Sequence, residues 1–140
     1  TASLCMDLNS RVLERFQSKP AVVDMKIDLS QCSYMDSTFM GLLVGFNKRL
    51  LSQSCKAITL IRPTPACLQL LATIGIIRLV SISYESLIFP PSMENLISSE
   101  QATADFLLDV HENLMEISEE NKTSFSTLHA ILRAEKEKPD

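Results

Sequence analysis

The chain has 140 residues, enough for about one domain. Apolar residues make up 46%, and 17 acidic against 13 basic residues leave a net charge of −4, the composition of a chain that buries an ordinary core without staples. That balance excludes a broad phosphate-neutralising face, so no nucleic-acid partner is expected. The longest apolar stretches, around residues 39–46 and 70–77, are too short to span a bilayer, so no membrane insertion is expected.

No basic segment followed by an apolar run opens the sequence, so a secretory signal is not expected. The four cysteines, Cys5, Cys32, Cys55 and Cys67, form no Cys-x-x-Cys pair and no cluster with zinc spacing. They read as reduced thiols filling the core of a cytoplasmic protein.

Residues 3–17 carry Leu4, Leu8, Val12 and Phe16 at helical spacing, with Pro20 beyond the end. Residues 22–29 alternate: Val23, Met25, Ile27 and Leu29 on one face, Asp24, Lys26 and Asp28 on the other, as in a strand. A polar loop over 30–36 leads to a predicted helix over 37–52. A short apolar strand follows at 57–61. Pro63 then precedes a helical segment at 64–73, which Gly75 stops. Residues 79–82 read as a further strand. Alternating helices and strands indicate an α/β layer structure.

On the helix over 37–52, Phe39, Leu43, Phe46 and Leu50 share the side that must face the sheet, flanked by Met40 and Leu51. Ser37, Gly41, Gly45, Lys48 and Ser52 fall in a narrow arc opposite, which is expected to be exposed. Two glycines on a helix face cost about 1 kcal/mol each against alanine. Either they accommodate a neighbouring loop or they let a partner approach closely. On an exposed face, Gly41→Arg and Gly45→Arg would leave the fold intact and weaken binding. Asp36 and Ser37 open the helix, and either suits its N-cap. The same helix end offers free N–H groups and a positive dipole to a phosphate.

Pro90-Pro91 marks a boundary at about residue 90. From Ser98 onward ten acidic residues face four basic ones, a local charge of −6, while the first 97 residues carry +2. Residues 98–101, Ser-Ser-Glu-Gln, have a capping-box pattern. Phe106, Val110, Leu114 and Ile117, then Phe125, Leu128, Ile131 and Leu132, continue at helical spacing. The tail over 91–140 thus reads as one long or two shorter amphipathic acidic helices. These would pack on the chain's own core, form a homodimer seam or reach a partner. His111 begins a near-miss of the His-Glu-x-x-His zinc pattern, but Met115 removes the second ligand, so no metal is assigned.

Residues 22–41, VVDMKIDLSQCSYMDSTFMG, resemble the central segment of STAS domains, the anti-sigma factor antagonists. There, an apolar strand ending in Asp-Leu leads through a short loop to Asp-Ser-Ser/Thr-Gly-x-Gly and a helix. The Leu60-Ile61-Arg62-Pro63 run, Leu70-Leu71, Gly75 and Leu79 fall where that family's next helix and last strand lie, so the resemblance covers about residues 1–85. It implies a small mixed sheet with helices on one side, preceded by one or two strands that are absent before Thr1, so a start inside the domain is expected. With the tail, the expected organisation is a STAS-like domain over 1–90 and a helical extension over 91–140.

The resemblance also implies a bacterial regulatory module that binds an anti-sigma factor and serine kinase of histidine-kinase-like fold, and releases it on phosphorylation. The modified serine would be Ser37, with Thr38 a weaker candidate. Asp28, Asp36, Ser37, Thr38, Gly41, Gly45 and Lys48 would meet the partner. Phe39 departs from the family by standing where its first glycine stands. The alternative is a constitutive scaffold, or an accessory subunit of a transport ATPase, without a phosphoswitch. No nucleophile elbow, phosphate-loop lysine motif or dinucleotide fingerprint is present, so neither catalysis nor a cofactor is expected.

Overall fold

A computed structural model describes residues 1–98 and 101–138. The elements in order are α1 (Ala2–Gln17), β1 (Lys26–Asp28), α2 (Ser37–Ser54), β2 (Thr59–Ile61), α3 (Pro65–Ile74), a single 3₁₀ turn (Ile76–Arg78), β3 (Ser81–Ser83), α4 (Ala104–Met115) and α5 (Glu119–Glu137). Among the described residues no helix is long and apolar enough to cross a membrane.

The strands among the described residues form one sheet in the order β1-β2-β3, and both pairings are parallel. The expected mixed sheet is therefore corrected to a parallel one. Consecutive parallel strands need crossover connections, and α2 and α3 supply them. Ile27 is level with Leu60, and Leu60 with Ile82. The first strand is shorter than residues 22–29 suggest, because only Lys26–Asp28 finds a partner strand. Val23 is exposed, whereas Leu29 is buried.

Local chemistry sets the helix ends. Thr1 caps α1 by accepting from the Leu4 N–H, and Thr64 caps α3 by accepting from the Cys67 N–H, with Pro65 in the first turn. Gly75 ends α3 at φ 93°, a conformation glycine adopts without steric cost. Thr103 accepts from the Phe106 N–H and so starts α4, a correction to the expected start near Ser98. Residues 99 and 100 of that capping pattern lie outside the described residues. The tail is two helices, because Ser118 caps α5 by accepting from the Asn121 N–H and so separates it from α4.

Leu43 and Leu50 of α2, Leu60 of β2, Leu71 of α3 and Leu114 of α4 are fully enclosed in one apolar cluster. Each such side chain contributes about 2 kcal/mol through the hydrophobic effect. The inner side of α2 is thus as the periodicity predicts, although Leu51 stays exposed. Phe106, Val110 and Leu114 belong to the same cluster, so the tail packs on the chain's own core. All four cysteines are free, with Cys5 and Cys67 buried and Cys55 exposed.

Candidate functional site

The turn after β1 begins with Asp28, whose Oδ1 accepts from the Ser30 N–H at 2.9 Å. That backbone donor holds the Asp28 carboxyl below the usual carboxylate range. The chain then reaches the N-terminus of α2 beyond the carboxyl end of β1. Asp36 is the N-cap and accepts from the Phe39 N–H at 2.9 Å. Capping therefore falls to Asp36, and the Ser37 hydroxyl is left for another partner.

That partner is His111 of α4, whose Nε2 lies 2.8 Å from Ser37 Oγ. His111 Nδ1 is 2.7 Å from the Leu107 carbonyl oxygen. A carbonyl only accepts, so Nδ1 carries the hydrogen; in the neutral ring Nε2 then accepts from the Ser37 hydroxyl. The ring is 2% exposed and packs at 5.6 Å against Phe125 of α5. A serine held by an imidazole has the pairing that activates a nucleophile. Here a backbone carbonyl stands where a triad has its carboxylate. The nearby cleft lined by Cys5, Met35, Asp36 and Phe39 does not include Ser37 or His111.

Of the α2 arc expected to be exposed, Lys48 and Ser52 are exposed, whereas α4 covers Gly41 and packs against Ser37 and Gly45. Gly41 is buried. A Cβ built on it would stand 2.0 Å from the Val110 carbonyl oxygen, a backbone atom. Asn113 Nδ2 donates to the Gly41 carbonyl at 3.1 Å. Gly45 is looser, since its Cβ would meet only the Asn113 side-chain amide, at 3.0 Å. Lys48 donates to Asn113 Oδ1 and pairs with Glu116. The glycines thus serve close approach, and the neighbour is a helix of the same chain. Gly41→Arg is corrected accordingly: it displaces α4 rather than leaving the fold intact.

Among the residues expected to meet a partner, Ser37, Gly41, Gly45 and Lys48 come together along α2 under α4. Thr38 is 7% exposed. Asp36 stays at the helix end as its cap, and Asp28 lines an apolar groove with Ile27, Phe39 and Ile88. His111, Asn113 and Glu116 complete the site, and sequence reasoning does not find them there. Each is an ordinary polar position of an acidic helix, about seventy residues from its contact on α2. Among the described residues no group of three or more His, Cys, Asp and Glu side chains is placed to hold a metal ion.

Asp109, one turn before Asn113, borders a cleft with Asn9, Lys48 and Arg49. Loss of hydration, and then the nearby carboxylates of Glu112 and Asp105, push its carboxyl above the usual range. The folded chain holds that proton to a higher pH than the unfolded chain does. The contribution of Asp109 to stability therefore falls as pH rises through its folded-state pKa. Asp109→Asn is expected to raise the urea midpoint at neutral pH, and the gain is expected to vanish below about pH 3, under the unfolded-state pKa, where both states are protonated. Urea unfolding at the two pH values checks this.

Comparison with protein-family models, with curated proteins and with solved structures gives no match.

Proposed function

We propose that the chain is a regulatory protein–protein interaction module of the STAS type, acting through the α2 face and switched by phosphate on Ser37. One observation carries the reading: Asp36, not Ser37, caps α2. Had Ser37 been the cap, its hydroxyl would be committed to the backbone and any modification would unravel the helix end. Instead Ser37 sits in the first turn with its hydroxyl directed away from the capping position. A phosphate there replaces the hydroxyl's hydrogen bond to His111 and meets the positive end of the helix dipole. It adds nearly two negative charges without melting α2. Thr38, by contrast, is enclosed.

The partner that this reading supplies is an anti-sigma factor and serine kinase of histidine-kinase-like fold. It is held by the unmodified chain and lost by the modified one. The test uses the full chain and its Ser37→Asp variant side by side as baits in a lysate of the source cells. The expected result is a kinase-like protein retained by the first bait and reduced about tenfold or more on the second, equivalent to about 1.4 kcal/mol. Equal retention on both baits contradicts the phosphoswitch and favours the constitutive scaffold. Ser37→Ala is the structural control: losing its hydrogen bond to His111 is expected to cost about 1 kcal/mol in urea unfolding.

A further inference from the structure

We infer that the α2 face is a helix-docking groove and that the α4–α5 hairpin is its resident occupant, a built-in competitor that any partner of this face must displace. The inference rests on the reading of α2 as a partner surface, and it goes further by naming the kind of ligand the surface takes. That ligand is an amphipathic helix with an acidic outer edge. The missing Cβ of Gly41 admits the backbone of α4 itself, at Val110. Phe106, Val110 and Leu114 seat α4 on the apolar core, and polar contacts flank them: Ser37 to His111, Asn113 to the Gly41 carbonyl, and Lys48 to Glu116.

Charge matches across the groove. Lys48 and Arg49 line the α2 side of a cleft that Asp109 and Asn113 line from α4. Glu116 pairs with Lys48 from the same side, whereas Asp105 and Glu112 are turned to Lys136 and His129 of α5. The connection permits release. The described residues between β3 and α4, 84–98 and 101–103, form neither helix nor strand. Fully extended, a segment of that length reaches more than about 50 Å, once its bonds to α1, Glu94 with Arg11 and the Ile97 N–H with Asp7 Oδ2, are broken. Within the hairpin, α4 and α5 stay joined through Phe125 against His111, and through the His129–Glu112 and Lys136–Asp105 pairs. Leaving as a unit, the hairpin also gives up the Asn121 bond to the Ile74 carbonyl of α3 and uncovers Phe106, Val110 and Leu114.

The test needs neither the partner nor phosphate. Hydrogen exchange is followed on the full wild-type chain, on His111→Ala/Asn113→Ala, which loosens α4 and leaves α2 intact, and on Gly41→Ala. A fluorescent synthetic peptide of residues 101–138 then serves as the incoming helix. In both variants, exchange across 104–137 is expected to rise about tenfold or more, and to rise well beyond that of β1–β3. The peptide is expected to bind the double variant at least about tenfold more tightly than the wild type. It is expected not to bind Gly41→Ala, whose new Cβ meets the peptide's own Val110 carbonyl. Exchange that rises equally in the sheet and the hairpin overturns the proposal, as does exchange unchanged in both variants. Release without peptide binding to the double variant, or with equal binding to Gly41→Ala, overturns it too. Failure here leaves the Ser37→Asp result standing, and loss of the phosphoswitch leaves this result standing.

Discussion

Gly41→Ala is expected to destabilise the chain by about 3 kcal/mol, the upper range for forcing an extra methyl into a packed contact. The methyl would stand 2.0 Å from the Val110 carbonyl oxygen and 2.6 Å from the carbonyl carbon, so α4 must shift or leave. Gly45→Ala, one turn on, meets only the end of the Asn113 side chain at 3.0 Å. That side chain can turn aside, and alanine restores about 1 kcal/mol of helix propensity. The second variant is therefore expected to lie within about 1 kcal/mol of the wild type. Urea unfolding followed by circular dichroism separates the two. Equal stabilities would mean that α4 does not seat on Gly41.

Asn47→Ala is expected to cost about 3 kcal/mol, because it leaves two backbone groups without a partner in the interior. Asn47 is 3% exposed. Its Oδ1 accepts from the Ile58 N–H at 2.9 Å, and its Nδ2 donates to the Leu79 carbonyl at 3.1 Å. Those groups lie just ahead of β2 and β3, so one side chain on α2 fixes where two strands enter the sheet. Asn47→Asp is expected to recover none of the loss, since its carboxylate accepts from Ile58 but is a buried charge whose other oxygen faces the Leu79 carbonyl and cannot donate to it. Urea midpoints lowered at least as much by aspartate as by alanine check this.

Much of the fold was legible in the sequence because it is local. α1 and α3 lie close to the predicted 3–17 and 64–73, with Gly75 ending α3, and α2 starts at Ser37 behind Asp36 but runs on to Ser54. The inner face of α2 follows from the spacing of Leu43, Phe46 and Leu50. The strands were harder, since pairing and not pattern sets their length. Val22 and Val23 have strand chemistry but lie outside the three-residue strand β1. The number of helices in the tail was open until Ser118 was seen to cap α5.

The site was only half legible, for the same physical reason. The arc of Ser37, Gly41, Gly45 and Lys48 is a property of one helix and can be drawn from its sequence. What covers that arc depends on contacts made after the chain has folded back over about seventy residues. The polar residues that make them, His111, Asn113 and Glu116, look like surface positions in sequence, where such residue types are mostly found. Asn47 and Asn121 were missed likewise. Asn121 donates to the Ile74 and Leu114 carbonyls and so ties α3, α4 and α5 together. A polar side chain that satisfies distant backbone groups leaves no periodic trace.

The most direct test of the account is phosphopeptide mapping of the chain isolated from its source cells under several growth conditions. Ser37 lies in the tryptic peptide over 27–48, which also holds Ser30, Ser33 and Thr38, so fragment ions assign the position. A single phosphate on Ser37 is expected in at least one condition. A phosphate found on Thr38 or in the loop, or a peptide that is unmodified in every condition, contradicts it.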